Sequence, residues 1–276
     1  MTFILQNPNP TGLVASVGHT RALQPAEIGT AHQAMEVAQT IRCMVGELKA
    51  QHEIDDEKDV KLVLIKCPLL TSAKIAAIKA QDLKPITEDT YESMAKSRYA
   101  SAIGIALGLD EMKEEDMTRL MDRETNEFYS HKASCSSGAE LEDCHILILA
   151  SMPLMQRAAI LNDLRTPKLD AMASSMIDAI DAVAIIEMLK EIEKRGGAVV
   201  QVFVKAEADP SGMIRGSRHT MNTDSDIQST RHARAAVGGL VAGLLQDTMV
   251  YVSGGAEGQG PSGGGSLCMV YSVEGA

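Results

Sequence analysis

KLVLIKC (61–67) decides how this chain is read: it is a short aliphatic run ending in a lysine, and it returns later in the sequence. After it come SRYASAIGIALGL (97–109), carrying Arg98 near its start, and SSGAE (136–140), opening on Ser136. The second half repeats that order. VVQVFVKAE (199–207) carries Lys205, TRHARAAVGGLVAGLL (230–245) carries Arg231, and SGGAE (253–257) opens on Ser253. Self-similarity of this size marks a fold built from copied units. A lysine, an arginine and a serine recurring in one order predict polar groups that converge on a shared axis. The repeat is therefore a candidate active site as well as a scaffold.

Working outward, GLVASVG (12–18) reads as a first short strand, and residues 31–50 as a helix with Met35, Val37, Ala38, Ile41, Val45 and Leu48 at helical spacing. KLVLIK is a buried strand. TSAKIAAIKAQ (71–81) is a short helix that Thr71 or Ser72 caps. Residues 90–108 form a long helix ended by Gly108, and FYSHKASC (128–135) and HILILA (145–150) are strands on either side of the SSGAE turn. A connector holding Pro153 and Pro167 spans roughly 153–170. The plan then restarts. Residues 172–194 read as a helix with Met176, Ile177, Ile180, Val183, Ile186 and Leu189 facing in, stopped by Gly196 and Gly197. AVVQVFVK is a strand, 227–245 a helix, and TMVYV and LCMVYSV are strands flanking SGGAE. Strands alternating with helices make an α/β unit, present twice. The division this predicts is a leader at 1–10, one unit at 11–165 and a second at 166–276.

At 276 residues, 45% apolar and 23% charged, the chain has a soluble globular balance, long enough for two cores. Trp is absent, so the cores are aliphatic, with 16 Met filling irregular gaps. The net charge of -11, with acidic runs at 53–59 and 110–116 read as solvated faces or loops, argues against a broad nucleic-acid-binding surface. Five scattered Cys without a CxxC pair fit reduced thiols and a cytoplasmic location. No apolar run is long enough to span a bilayer, and MTFILQNPNP lacks the features of a signal peptide.

A lysine at the end of a buried strand is rarely buried without a job or a partner. Burial and a neighbouring positive charge both lower its pKa, and a neutral lysine can act as general base for a serine hydroxyl. The serine opens a Gly-containing turn whose successive N–H groups can face one oxyanion. The arginine offers a planar fork for carbonyl or carboxylate oxygens. Together these parts describe acyl transfer from an amide to water. Each part alone has a plain reading: a turn serine, an exposed strand-tip lysine, a surface arginine. Repetition of the ordered triple also follows from duplication of a scaffold. Cys135 reads as a packed strand residue rather than a thiol nucleophile, because Val252 stands at its place in the second copy. His219 and His232 lie near the second arginine, as site-lining groups or plain surface residues. EGQGPSGGGS (257–266) lacks the Lys-Ser/Thr of a phosphate loop; its carbonyls can instead ligate a hard cation, with Glu207 as carboxylate partner.

KCPLLT (66–71), DTYESMAKSRYASAIGIALG (89–108), SSGAELE (136–142), VKAEADPSGMIRGSRHTMNTDSDIQSTRHARA (204–235) and MVYVSGGAEGQGPSGGG (249–265) closely resemble the cyanuric acid hydrolase and barbiturase family of ring-opening amidohydrolases. The resemblance covers most of 11–276. It implies an α/β fold of tandem homologous repeat units, two of the family's three, arranged about a pseudo-threefold site, with the first unit missing here. It implies that Lys66 is the catalytic lysine and Ser136 the nucleophile, with Ser137 its adjacent alternative. Arg98, Ser137, Arg231, Lys205, Ser253 and Gly254 are implied to hold the substrate ring. Glu207, with backbone groups of Ala256, Gln259, Gly260, Pro261 and Gly264, is implied to hold a structural divalent cation, Mg²⁺ or Ca²⁺, and no organic cofactor is expected. The substrate expected is cyanuric acid, opened to carboxybiuret, or a barbiturate-like ring. The partners expected are a separate first-unit subunit or further copies in a homo-oligomer, and neither nucleic acid nor membrane. The rival readings are a non-catalytic ring-binding module and a structural subunit of a split amidohydrolase.

Overall fold

The computed structural model describes residues 11–54, 58–123, 128–153, 168–219, 221 and 229–273. Two four-stranded sheets carry the molecule. The first is built from β1 (Leu13–His19), β2 (Val60–Pro68), β3 (Ala133–Gly138) and β4 (His145–Ser151), in the order β1-β4-β2-β3. The second is built from β5 (Leu169–Met176), β6 (Gly197–Ala206), β9 (Tyr251–Gly254) and β10 (Gly265–Val273), in the order β5-β10-β6-β9. The order is the same in both: first strand, last strand, then the lysine strand paired parallel to the serine strand at the edge. Between β6 and β9 lies a small hairpin of β7 (Met213–Ile214) and β8 (Ser217–Arg218).

Helices cover one face of each sheet. α1 (Ala31–His52) and α3 (Thr90–Gly108) lie on the first, with Val37, Ile41 and Ile105 packed on Val63, Ile65 and Cys135. Gly104 and Gly108 let α3 approach α1: a Cβ at Gly104 would lie 2.6 Å from the Ala34 carbonyl oxygen. α2 (Ser72–Lys79) is capped by Thr71, whose hydroxyl accepts from the Lys74 N–H, and α3 by Asp89. α5 (Ala182–Lys194) and α6 (Ser229–Leu245) supply the second core with Ile185, Met188, Ile192, Ala233, Val237 and Val241. The opposite, inner faces of the two sheets pack on each other through Leu62, Leu149, Ala171, Phe203, Cys268 and Val270. Four cysteines are buried and Cys43 is exposed, all as free thiols.

Several expectations need correction. The helix expected over 172–194 begins only at Ala182; 169–176 is the strand β5, paired antiparallel with β10. Its Ala, Ser and Met residues carry little β preference, and a partner a hundred residues away decides the state. The apolar stripe shifts accordingly: Ile177, Ile180 and Val183 are exposed, and Ile185, Met188 and Ile192 face in. The acidic run 110–116 is a loop and a solvated helix face, as expected: Glu114, Glu115 and Asp116 form the first turn of α4 (Glu114–Arg123), where carboxylates favour the helix dipole. The strand expected from 128 starts at Ala133, and it absorbs Ser136, Ser137 and Gly138, which pair with Lys66, Cys67 and Pro68. The 1–10 leader and the 165/166 boundary lie outside the described residues, as does most of the 153–170 connector.

Candidate active site

Alternation along each lysine strand fixes where the lysine goes. In β2, Val63, Ile65 and Cys67 face the helices, so Leu62, Leu64 and Lys66 face the other sheet. In β6, Val202 and Val204 face the helices, so Phe203 and Lys205 face inward. Each lysine is in register with its serine across a parallel pair, Lys66 with Ser136 and Lys205 with Ser253. The duplicated motif therefore places a lysine beside a serine on the inner face twice.

The two places differ in their cover. Lys205 is wholly buried, and its Nζ lies 2.9 Å from Ser253 Oγ, 2.7 Å from the Cys135 carbonyl oxygen and 3.3 Å from the Gly254 carbonyl oxygen. The cover comes from the edge strand of the other sheet: Cys135 O accepts from Lys205, and Ala133 O accepts from Ser266 Oγ at 2.6 Å. Burial, reinforced by the Arg98 charge, brings the Lys205 pKa down to about 7. A neutral amine has two N–H donors and one lone pair. As an ammonium Lys205 donates to Ser253 Oγ and to the two carbonyls; loss of one proton, which the lowered pKa favours, turns a lone pair toward Ser253.

Among the described residues Lys66 has no such cover. Its side chain is 50% exposed, and Nζ pairs with Glu140 Oε1 at 2.6 Å, which lowers the Glu140 carboxyl. Ser136 Oγ lies 3.5 Å from the Ile65 carbonyl. Among the described residues, the buried setting expected for the catalytic lysine is therefore found at Lys205, and Lys66 is half exposed. On the same row of the sheet, His145 is in register with both Lys66 and His19. Asp143 bridges the two histidines at 3.1 Å and 3.0 Å. The sequence reading gave neither histidine a place.

Arg98 is brought to the junction between the sheets. It is buried near the start of α3, with Nη1 3.5 Å from Ser137 Oγ and its other edge bound to Glu257. Burial works against the guanidinium charge, and the Glu257 carboxylate more than offsets it, so the Arg98 pKa is raised. Arg231 is exposed in the first turn of α6. Gly254 packs between Thr230 and Arg234 of that helix, where a Cβ would collide with Thr230 Cγ2. His219 is buried, with its Nδ1 accepting from the Met221 N–H, and His232 is exposed. Cys135 is a packed strand residue, its thiol pushed well above its ordinary pKa by burial.

Glu207 faces the 256–264 loop and accepts from the Gly263 N–H at 3.1 Å. Burial, with the nearby Glu257 charge, raises its pKa to about 7. Gln259 is buried; its side-chain oxygen accepts from the Cys135 N–H, and its backbone carbonyl accepts from the Ser266 N–H at 2.7 Å. The remaining candidates, Ala256, Gly260, Pro261 and Gly264, offer carbonyls only. One carboxylate with backbone carbonyls is a hard-cation donor set. No cluster of three His, Cys, Asp or Glu suited to a metal occurs among the described residues.

The chain was compared with known proteins. A family model described as amidohydrolase ring-opening protein matches residues 5–272. A cyanuric acid amidohydrolase of Sarocladium sp is 54% identical over 275 residues, covering 99% of this chain and 76% of that protein. One from Rhodococcus sp is 51% identical, covering 96% of this chain and 70% of that protein. A solved cyanuric acid hydrolase from A. caulinodans superposes with a TM-score of 0.81 at 38% identity, covering 95% of this chain and 72% of its own. A second solved cyanuric acid hydrolase, described as an innovation by structural concatenation, gives a TM-score of 0.82 at 36% identity. Among the described residues no helix is long and apolar enough to cross a membrane.

Proposed function

Because the chain belongs to the ring-opening amidohydrolase family, we propose that it hydrolyses a ring C–N bond of a cyclic amide or imide, cyanuric acid or a barbiturate-like ring, by serine–lysine chemistry. The observation that carries this reading is the contact of Lys205 Nζ with Ser253 Oγ at 2.9 Å, in a buried setting that favours the neutral amine. It sets an amine against a serine hydroxyl, the arrangement general-base chemistry needs, in a motif that occurs twice.

Ser136 and Lys66 are the reacting pair in this proposal. Lys66 is half exposed, so a substrate can reach this end of the site, and Arg98 Nη1 borders it beside Ser137. Lys66, released from Glu140, takes the Ser136 proton as Oγ attacks a ring carbonyl carbon. N–H groups of the serine turn stabilise the oxyanion. Collapse breaks the C–N bond, Lys66 returns the proton to the departing nitrogen, and water then releases the acyl-serine. Lys205, Ser253, Gly254 and Arg231 hold the rest of the ring. The second reading exchanges the pairs, and it is favoured by the lowered pKa and the finished hydrogen bonds of Lys205.

The carbonyls that cover Lys205 have no counterpart over Lys66 among the described contacts. We therefore propose that the Lys66 end is closed in the active assembly by a homologous edge strand, from a separate subunit or a second copy. A Mg²⁺ or Ca²⁺ ion held by Glu207 and the loop carbonyls would steady the turn that carries Ser253. In assays of ring opening with cyanuric and barbituric acids, S136A is expected to lose turnover by about 10³-fold or more, and S253A mainly to raise KM. An S136A chain that still turns over, beside a dead S253A chain, would hand the chemistry to the second pair. Mass spectrometry for an acyl-serine adduct locates the nucleophile directly.

A further inference from the structure

The repeated Ser-x-Gly-Ala-Glu segment ends in a glutamate, Glu140 in the first copy and Glu257 in the second, and the reaction above gives neither a role. Their surroundings differ. Glu140 reaches back to Lys66 of its own sheet, and both side chains stand well into solvent. Glu257 reaches across to the other sheet's helix: Oε2 accepts from Arg98 Nε at 2.8 Å and Oε1 from Nη2 at 2.7 Å. This side-on, bidentate pair is among the more directional contacts a protein makes. The Arg98 side chain is only 8% exposed there.

The floor under the guanidinium is Gly255, two residues before. It has φ +78°, and a Cβ on it would lie 2.6 Å from Nη2 and 2.7 Å from Cζ and Nε. The guanidinium thus rests on bare backbone with one edge clamped. Of its five N–H donors, Glu257 takes one from Nε and one from Nη2. Nη1 points the other way, 3.5 Å from Ser137 Oγ at the end of β3.

We propose that Gly255 and Glu257 form a cradle for Arg98 and that Glu257 is a positioning residue, aiming Nη1 at the substrate oxygen beside Ser136. This deepens the function proposed above and rests on its placing Ser136 and Lys66 as the reacting pair, with Arg98 Nη1 at their border beside Ser137, where a ring carbonyl would accept from it. The second sheet's turn then has two duties: Ser253 meets its own lysine, and Glu257 sets the other sheet's arginine. An unclamped guanidinium keeps its charge but samples several rotamers, so the loss should fall on ring affinity more than on turnover.

The test uses the full chain with E257Q, R98M and the double variant. E257Q is expected to raise KM about tenfold with kcat changed only a few-fold, and the double variant to be no worse than R98M, as expected when one residue acts through the other. The ¹⁵N-detected Arg98 Nε–H signal, identified by its loss in R98M, should shift and exchange faster in E257Q. An E257Q chain with unchanged KM and an unchanged Arg98 signal overturns the proposal, and so does a double variant that loses the product of the two single effects. A wild-type chain that opens neither ring removes the proposed function instead, and the Arg98 signal alone then decides the cradle. If E257Q does not fold, the R98M/E257M chain, which leaves no unpaired buried charge, takes its place. Its KM is expected to match that of R98M, and a further tenfold rise would overturn the proposal.

Discussion

Lys66 and Lys205 occupy the same place in two copies of one unit, yet their amines meet different surroundings. Lys205 is sealed under main-chain carbonyls, and its pKa falls from 10.5 to about 7. The unfolded chain holds that proton up to about 10.5, whereas the folded chain gives it up near 7. Between those values the unfolded state binds more protons, so stability rises with pH, by up to about 1.4 kcal/mol per pH unit from this group. Below the folded value the cost of burying the amine is felt in full. Urea unfolding of wild type and K205M across this range, in the presence of a chelator, should show the rising slope in the wild type and its loss in the variant. Both lysines were legible in the sequence as strand ends of a repeat. Which of them is covered was not. The cover is the Cys135 carbonyl, a backbone atom 70 residues away that every residue type carries. Glu257 was legible in principle, because it repeats with the serine, but only the folded junction shows that it faces Arg98.

The helix α3 matters beyond the arginine it carries. Gly104 and Gly108 seat it against α1, with Val37 Cβ only 2.7 Å from where a Gly104 side chain would begin. G104V is expected to destabilise the chain by about 1–3 kcal/mol through overpacking, measured by urea unfolding, and to weaken ring binding by moving Arg98 off its cradle. At this scale the sequence was most readable where one face is plainly apolar. β2 and β6 announce themselves by dense aliphatic runs, α1 by its heptad-like spacing, and α2 by its Thr cap. β5 does not, because LDAMASSM suits a helix as well as a strand when read locally. Its state is settled by β10 on one flank and by Asp170, which accepts from Tyr271 Oη at 2.9 Å and from Ser151 of the first sheet. Long-range pairing of this kind leaves no mark in a short window of sequence.

Across the whole molecule the two sheets meet through one small apolar layer and a few polar contacts at its rim. Phe203 stands in that layer, nearly buried, on the strand that carries Lys205. F203A should cost about 3–5 kcal/mol and broaden or split a single calorimetric unfolding transition as the sheets lose their coupling. The duplication was plain in the sequence; the way one copy serves the other was not, since the contacts are made by edge carbonyls and a glycine floor. For the buried lysine, that service has a direction. β3 supplies the Ala133 and Cys135 acceptors, and β6 and β10 of the later half supply the Lys205 and Ser266 donors. A ribosome makes the acceptors first, and domains tend to fold in the order they emerge. The later half has nowhere to bury its lysine until that edge exists, while the earlier half's buried Arg98 waits in turn for Glu257. Nascent chains are thus set to assemble by templating, each new sheet laid against the one already made.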